Sequence, residues 1–138
     1  MGETERLEVA VMGAGLIGCY VGGVLAAAGV KVRLIGRPGY IDAVRQNGLR
    51  VTDYDGRDSI VSADAIKLSR SPAAAAGSDF VLVTVKSDAT ADAGRQLEPY
   101  IEPGTPVLSL QNGVDNAANL AAAMPQAKVF AGMVPFNV

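Results

Sequence analysis

The chain has 138 residues, of which 49% are hydrophobic and 19% charged, and its formal net charge is -2. This size and composition predict one globular domain with its own core and exclude disordered and fibrous chains. The slightly acidic balance argues against nucleic acid as a partner, and the absence of histidine excludes Ser-His-Asp chemistry and histidine-bound metal, so we predict no metal site.

Membrane and redox chemistry are also disfavoured by the sequence. No apolar stretch has membrane-spanning length and no basic-then-apolar leader is present, so we expect no membrane partner and a cytoplasmic location. The single cysteine, Cys19, is interpreted as a small filler on the first helix rather than a nucleophile. A homo-oligomer formed through an exposed apolar surface is a hypothesis that light scattering tests.

The first predicted elements are a buried strand over Leu7 to Met12 and a helix over residues 16 to 28, joined by a glycine turn. The turn has G-x-G-x-x-G spacing and consists of Gly13, Ala14, Gly15, Leu16, Ile17 and Gly18. In a dinucleotide-binding turn the first glycine allows the sharp exit, the second lets backbone approach a pyrophosphate, and the third allows close helix packing. The strand before it and the helix after it favour a nucleotide site, and a glycine turn without a ligand is the alternative.

A second strand is predicted over Val30 to Ile35, followed by Gly36 and Arg37. An NAD-binding fold of this kind usually carries an acidic residue there for the ribose 2′-hydroxyl. Here Arg37 stands in that place, and a guanidinium can bind two oxygens of a 2′-phosphate. We therefore predict NADP (NADPH) as the cofactor, while a solvated loop charge is the alternative for Arg37.

The middle of the chain predicts a short helix, an antiparallel ribbon and a further parallel strand. The helix covers residues 40 to 47, the ribbon pairs Leu49 to Thr52 with Ser59 to Ala63, and the strand covers Ala65 to Leu68. Ser71 to Gly77 has the pattern of a capped short helix.

The strongest strand pattern is Phe80 to Val85, which we expect to be buried on both faces, and Lys86 follows it directly. Ser87 is predicted to cap a helix over roughly residues 88 to 98. The remaining predicted elements are a strand over Pro106 to Leu110, a helix over Asp115 to Met124 and a strand over Lys128 to Ala131, with Gln111 and Asn112 on the loop after the first of these.

This alternation predicts an α/β fold with a doubly wound parallel sheet, Rossmann-like, in a single domain. In such a sheet all strand-to-helix loops open on one edge. The glycine turn, Arg37, Lys86 and the Gln111-Asn112 pair are all on those loops, so we expect them to share one crevice. Taken alone, Lys86 is better explained as a snorkelling surface lysine.

The glycine turn, Arg37, the LVTVK segment ending at Lys86 and the SLQNGV segment around Asn112 closely resemble the amino-terminal domain of the ketopantoate reductase family. The resemblance extends over essentially the whole chain. It implies NADPH-dependent reduction of 2-dehydropantoate, a small 2-keto acid, to pantoate in pantothenate biosynthesis. It also implies that Lys86 contacts the cofactor near the adenosine ribose and phosphates, that Gln111 belongs to the cofactor site, and that Asn112 acts as a catalytic residue near the nicotinamide and substrate.

The same resemblance implies a second, mostly helical domain with a catalytic lysine and a glutamate, which we expect to lie beyond Val138 and to be absent from this chain. Residues 1 to 138 would then bind NADPH and turn over little substrate alone. Two alternatives stay open. One is a related NADP-dependent dehydrogenase of another 2-keto or 2-hydroxy acid, and the other is a non-catalytic NADP-sensing domain.

Overall fold

A computed structural model describes residues 7–52, 55–56, 58–111 and 115–132 of the chain. The strands are β1 (Glu8–Met12), β2 (Lys31–Ile35), β3 (Leu49–Thr52), β4 (Asp58–Val61), β5 (Ile66–Ser69), β6 (Phe80–Val83), β7 (Pro106–Ser109) and β8 (Lys128–Ala131). The α-helices are α1 (Leu16–Ala27), α2 (Pro38–Asn47), α3 (Thr90–Leu97) and α4 (Asn116–Ala123). Strands and helices alternate along most of the chain, as the sequence predicts.

Six of the strands form one sheet in the order β5-β2-β1-β6-β7-β8, and every neighbouring pair is parallel. The chain builds outward from β1 in one direction through β2 and β5, and then returns to add β6, β7 and β8 on the other side. The predicted doubly wound, Rossmann-like sheet is therefore confirmed. Its strand order reverses between β1 and β6, where folds of this class bind ligands.

The central strand β1 is buried because helices cover both of its faces. Ala10 and Met12 belong to the core cluster that includes Leu97 of α3 and Leu120 of α4. Val9 and Val11 alternate with them and belong to the cluster that includes Ile41 of α2. This period-2 division explains why the strand has a nearly continuous apolar sequence.

The predicted antiparallel ribbon is also confirmed, since β3 and β4 pair antiparallel from Leu49↔Val61 to Thr52↔Asp58. The ribbon packs against α1, where a Cβ added at Gly23 would lie 2.5 Å from Val51 Cγ2. On its exposed side the Arg50 guanidinium donates two hydrogen bonds of 2.9 Å to Asp58. These bonds lower the pKa of the Asp58 carboxyl.

Two details of the fold differ from the expectations. Pro72–Ala75 is a 3-10 turn rather than an α-helix, because Ser71 caps it and Gly77, at φ 78°, ends it within a few residues. Phe80 is 40% exposed at the open start of β6, so that strand is not buried along its whole length. None of the helices in the described ranges is long and apolar enough to cross a membrane.

Candidate functional site

A cleft of about 600 Å³ lies at the carboxyl ends of β5, β2, β1 and β6, four neighbouring strands of the sheet. Residues from the loop after each strand line it, and they include Gly13, Ala14, Gly15, Arg37, Arg70 and Lys86. The cleft is thus at the edge where the sequence predicts a crevice, beside the reversal of strand order. Five of the predicted site residues come together here.

Gly13 makes the sharp exit from β1. Its φ of +123° is a conformation that residues with a Cβ rarely adopt, and its N–H donates a 2.8 Å hydrogen bond to the carbonyl oxygen of Ile35. A Cβ at this position would also lie 2.7 Å from Thr84 Oγ1. The turn therefore requires glycine here for both backbone conformation and space.

The other two glycines of the motif have opposite surroundings. A Cβ added to Gly18 would lie 1.7 Å from the carbonyl oxygen of Gly13, so the start of α1 packs directly on the turn. A Cβ added to Gly15 would meet no protein atom within 4 Å, although Gly15 lines the cleft. Gly18 is thus required by packing, whereas the protein itself leaves room beside Gly15.

The amino end of α1 presents backbone donors at the same turn. Gly15 is the N-cap residue, and no side chain caps the helix. The first helical hydrogen bond runs from Cys19 N–H to the Gly15 carbonyl over 2.9 Å, so the N–H groups of residues 16 to 18 precede the helical ladder. Together with the helix dipole they favour an anion at this end. The predicted site residues Leu16, Ile17 and Gly18 do not line the cleft, and Leu16 is 71% exposed.

Close packing of Gly36 brings Arg37 to the glycine turn. A Cβ on Gly36 would lie 2.4 Å from the Ala14 Cβ, and the Gly36 N–H donates to the Ser69 carbonyl at 3.1 Å. Arg37 follows as the N-cap residue of α2, exposed and on the cleft wall. The acidic residues of the wall, Asp88 and Asp92, come from the chain after β6, and Asp92 lies 3.7 Å from Arg95.

Arg70 is a cleft residue that the sequence analysis did not identify. It directly follows the last residue of β5, whereas Gly36 stands between the end of β2 and Arg37, and both arginines line the same cleft. The signal was a basic residue directly after a parallel strand. The sequence predicts the strand itself, over Ala65 to Leu68, but no motif marks the residue after it as a ligand.

Lys86 lies on the cleft wall, exposed, after β6 and as the N-cap residue of the 3-10 turn Ser87–Ala89. This turn precedes α3, so the prediction that Ser87 caps the helix is wrong. The N-cap residue of α3 is Ala89, and no side chain caps it. The Ser87 hydroxyl instead accepts a 3.1 Å hydrogen bond from Asn116 Nδ2.

Gln111 is buried beside the cleft and does not line it. Its Nε2 donates to the Val85 carbonyl at 2.8 Å and to Thr90 Oγ1 at 2.7 Å, and its Oε1 accepts from Ser109 Oγ at 2.7 Å. Thr90 in turn donates to Asn116 Oδ1 at 2.9 Å. The predicted catalytic residue Asn112 lies outside the described residues.

This hydrogen-bond network contains Ser109, Gln111, Thr90, Asn116 and Ser87. Four of the five are the buried polar residues of the described core. The network joins the chain after β6 to the chain after β7, and so it supports the Lys86 side of the cleft. Sequence patterns did not reveal it, because its members lie far apart along the chain.

Comparison with known proteins agrees with this architecture. The model of the family described as "Ketopantoate reductase PanE/ApbA" matches residues 9–138. The chain is 42% identical to a PanE/ApbA family ketopantoate reductase of known structure from Ralstonia eutropha, with a TM-score of 0.82 over 91% of this chain and 40% of that one.

Two curated relatives are similar over most of the chain. A 2-dehydropantoate 2-reductase from Halobacterium salinarum is 39% identical over 91% of this chain and 41% of its own length. A glycerol-3-phosphate dehydrogenase [NAD(P)+] from Rhizobium johnstonii is 32% identical over 80% of this chain and 33% of its own length. The chain thus spans about two-fifths of the first relative, 41%. Because the family model covers nearly all of its residues, the chain belongs to the ketopantoate reductase family.

Proposed function

We propose that this chain is the NADPH-binding domain of an enzyme that reduces 2-dehydropantoate to pantoate. Relatives that match it over most of its length are named 2-dehydropantoate 2-reductase. The proposal assigns the cleft to the cofactor and leaves the full reaction to a protein of the relatives' length.

The observation that carries the proposal is the combination of Gly15 and Arg37 in one cleft. Gly15 has open space where a Cβ would stand, beside the uncapped amino end of α1. A pyrophosphate needs this combination of backbone access and N–H donors. Arg37 stands where NAD-binding folds usually carry an acid, and it has no ion-pair partner among the described residues. These features fit a dinucleotide with a 2′-phosphate.

The remaining roles follow from position. The turn from Gly13 to Gly18 would hold the pyrophosphate, and Lys86 would contact the adenosine ribose and phosphates. Gln111 would support the cofactor site by fixing the chain after β6 and β7. Asn112 would orient the nicotinamide and the substrate, which suits an uncharged amide. When bound, the reduced nicotinamide supplies the hydride for the keto carbon.

Lys86 is not assigned as the proton donor for the keto oxygen, since its loop fits cofactor binding. We propose that a helical domain outside this chain supplies a lysine for that step. The chain alone would therefore turn over little or no 2-dehydropantoate in a steady-state assay with NADPH. Reduction at a rate typical of a complete enzyme would overturn this part of the proposal.

Calorimetric titration of the chain with NADPH and NADH tests the cofactor assignment. We expect NADPH to bind at least about tenfold more tightly, because one charge-assisted phosphate contact contributes roughly 1.5 to 3 kcal/mol. Equal affinities would contradict it.

A second candidate is a related dehydrogenase with a different small substrate, which is favoured by the similarity to a glycerol-3-phosphate dehydrogenase. A panel of 2-keto acids and dihydroxyacetone phosphate, offered with NADPH to the longest protein that contains this chain, separates the two. Preferred reduction of 2-dehydropantoate supports the first candidate, and preferred reduction of the phosphorylated ketone supports the second.

A further inference from the structure

The arginines of this chain divide into two groups. Six are described by the structure, and four of them form ion pairs: Arg33 with Glu8, Arg45 with Asp42, Arg50 with Asp58 and Arg95 with Asp92. The side chains of Arg37 and Arg70 have no hydrogen-bond or ion-pair partner within the described ranges. Both of these unpaired arginines line the same cleft.

The sheet register fixes how close their backbones are. β2 and β5 are adjacent parallel strands, and Ile35 pairs with Ser69 at their carboxyl ends. The hydrogen bond from Gly36 N–H to the Ser69 carbonyl extends this pairing one step further. Arg70 therefore begins about one strand spacing, roughly 5 Å, from the Gly36-Arg37 segment. Lys86 follows β6, which is separated from β2 by β1, and so it starts about twice as far away.

Two neighbouring guanidinium groups repel each other unless an anion lies between them. A ribose 2′-phosphate carries between one and two negative charges near neutral pH, and its oxygens can accept hydrogen bonds from two arginine forks at once. We propose that Arg70 is a second 2′-phosphate ligand, paired with Arg37, and that it sets the preference for NADPH over NADH. This inference rests on the proposed function.

The test uses two probes that differ only in the group of interest, 2′,5′-ADP and 5′-AMP, in calorimetric titrations of the chain. Arg70→Gln should weaken 2′,5′-ADP by about 10- to 100-fold and change 5′-AMP by less than about threefold. Arg70→Lys keeps the charge without the fork, and should recover part of the loss. Arg45→Gln removes an exposed arginine that does not line the cleft, and should leave both affinities unchanged.

Arg37→Gln separates this inference from the proposed function. Suppose that the unaltered chain binds 2′,5′-ADP more tightly than 5′-AMP, and that Arg37→Gln reduces this preference whereas Arg70→Gln does not. Arg70 is then not a ligand, although the cofactor assignment stands. If the unaltered chain binds both probes equally, the NADPH assignment fails and this inference fails with it. If both single variants lose preference and Arg37→Gln/Arg70→Gln loses it completely, the two-arginine site is supported. Thermal unfolding of each variant verifies that it is folded, which we expect because both side chains are exposed.

Discussion

Thr84 Oγ1 donates a 2.8 Å hydrogen bond to the carbonyl oxygen of Gly13, and this bond ties the end of β6 to the turn that leaves β1. The same hydroxyl lies 3.2 Å from the Met12 carbonyl. Because β1 and β6 flank the reversal of strand order, the contact fixes the shape of the glycine turn at the centre of the cleft. The proposed cofactor site is therefore anchored to the sheet.

Replacement of Thr84 by valine should destabilise the fold. The change keeps the side-chain shape but leaves the half-buried Gly13 carbonyl without its donor, which typically costs about 1 to 2 kcal/mol. Denaturant unfolding measures the loss. Thr105→Val is the matched control, because the Thr105 hydroxyl donates only to the exposed-turn carbonyl of Glu102 at 2.8 Å. An equal effect of the two substitutions would contradict a special role for the Thr84 bond.

Alanine at Gly15 and at Gly18 should separate binding from folding. The added methyl at Gly18 would collide with the Gly13 carbonyl at 1.7 Å, so we expect a loss of about 3 kcal/mol or more in the free energy of unfolding. The methyl at Gly15 meets no protein atom within 4 Å, and we expect a change of less than about 1 kcal/mol.

Gly15→Ala should weaken NADPH binding although it hardly changes stability. Its methyl group occupies space that the pyrophosphate needs, and affinity should fall by at least about tenfold. Calorimetry on the folded variant measures this. Unchanged NADPH affinity in Gly15→Ala would show that the cofactor does not approach the backbone here.

Gln111→Leu should be strongly destabilising. The substitution leaves the Ser109 and Thr90 hydroxyls and the Val85 carbonyl without the partner that now lies 2.7 to 2.8 Å away. Because these buried polar groups would then lack a partner, we expect the free energy of unfolding to fall by about 2 to 4 kcal/mol. Gln46→Leu, on the exposed side of α2, is the control and should change stability by less than about 0.5 kcal/mol. Similar effects at both positions would mean that the buried network contributes little.

Cys19 should be a slow target for thiol reagents. Its Sγ lies 3.2 Å from the Ala14 carbonyl, and burial raises the pKa of the thiol. The thiolate is the reactive form of cysteine. A raised pKa therefore lowers the fraction of Cys19 that is thiolate at a given pH, and a more alkaline solution is needed for the same rate of reaction. At about pH 8, a disulfide reagent should react at least about tenfold more slowly with the folded than with the urea-unfolded chain.

A Cys19→Ser variant with Ala118→Cys is the control for reagent access, since Ala118 is exposed on α4. Its cysteine should react at similar rates in the folded and unfolded states. Rapid modification of Cys19 in the folded chain would contradict its interpretation as a core filler.

The sheet and its ligand edge were predictable because the signals are local. The apolar run of β1, the glycine spacing and the sequence of α1 are adjacent along the chain. The local sequence of each one indicates whether it forms a strand, a turn or a helix. Arg37 and Lys86 could be placed at the edge for the same reason, since each lies on the loop that follows a strand. One further rule, that the carboxyl ends of parallel strands meet at one edge of the sheet, was enough to predict that both residues lie at the same edge.

Other features depend on tertiary contacts that no local pattern encodes. Ser87 has the sequence of a helix cap, but its hydroxyl is bonded to Asn116, which is 29 residues away. Gln111 remains a predicted member of the cofactor site, and its amide donates to Thr90, 21 residues earlier, through a contact that no local pattern indicates. Arg70 is identified as a candidate ligand by a tertiary feature: like Arg37, its side chain lacks a carboxylate partner among the described residues.

We propose above all that the Arg37 guanidinium, after β2, selects the phosphorylated nucleotide. Calorimetric titration of Arg37→Glu with NADPH and with NADH tests it most directly, with Arg45→Glu as a control of equal charge change. We predict that NADPH affinity falls by about 10- to 100-fold in Arg37→Glu while NADH affinity changes by less than about threefold. Equal weakening of both nucleotides, or no weakening of either, would contradict it.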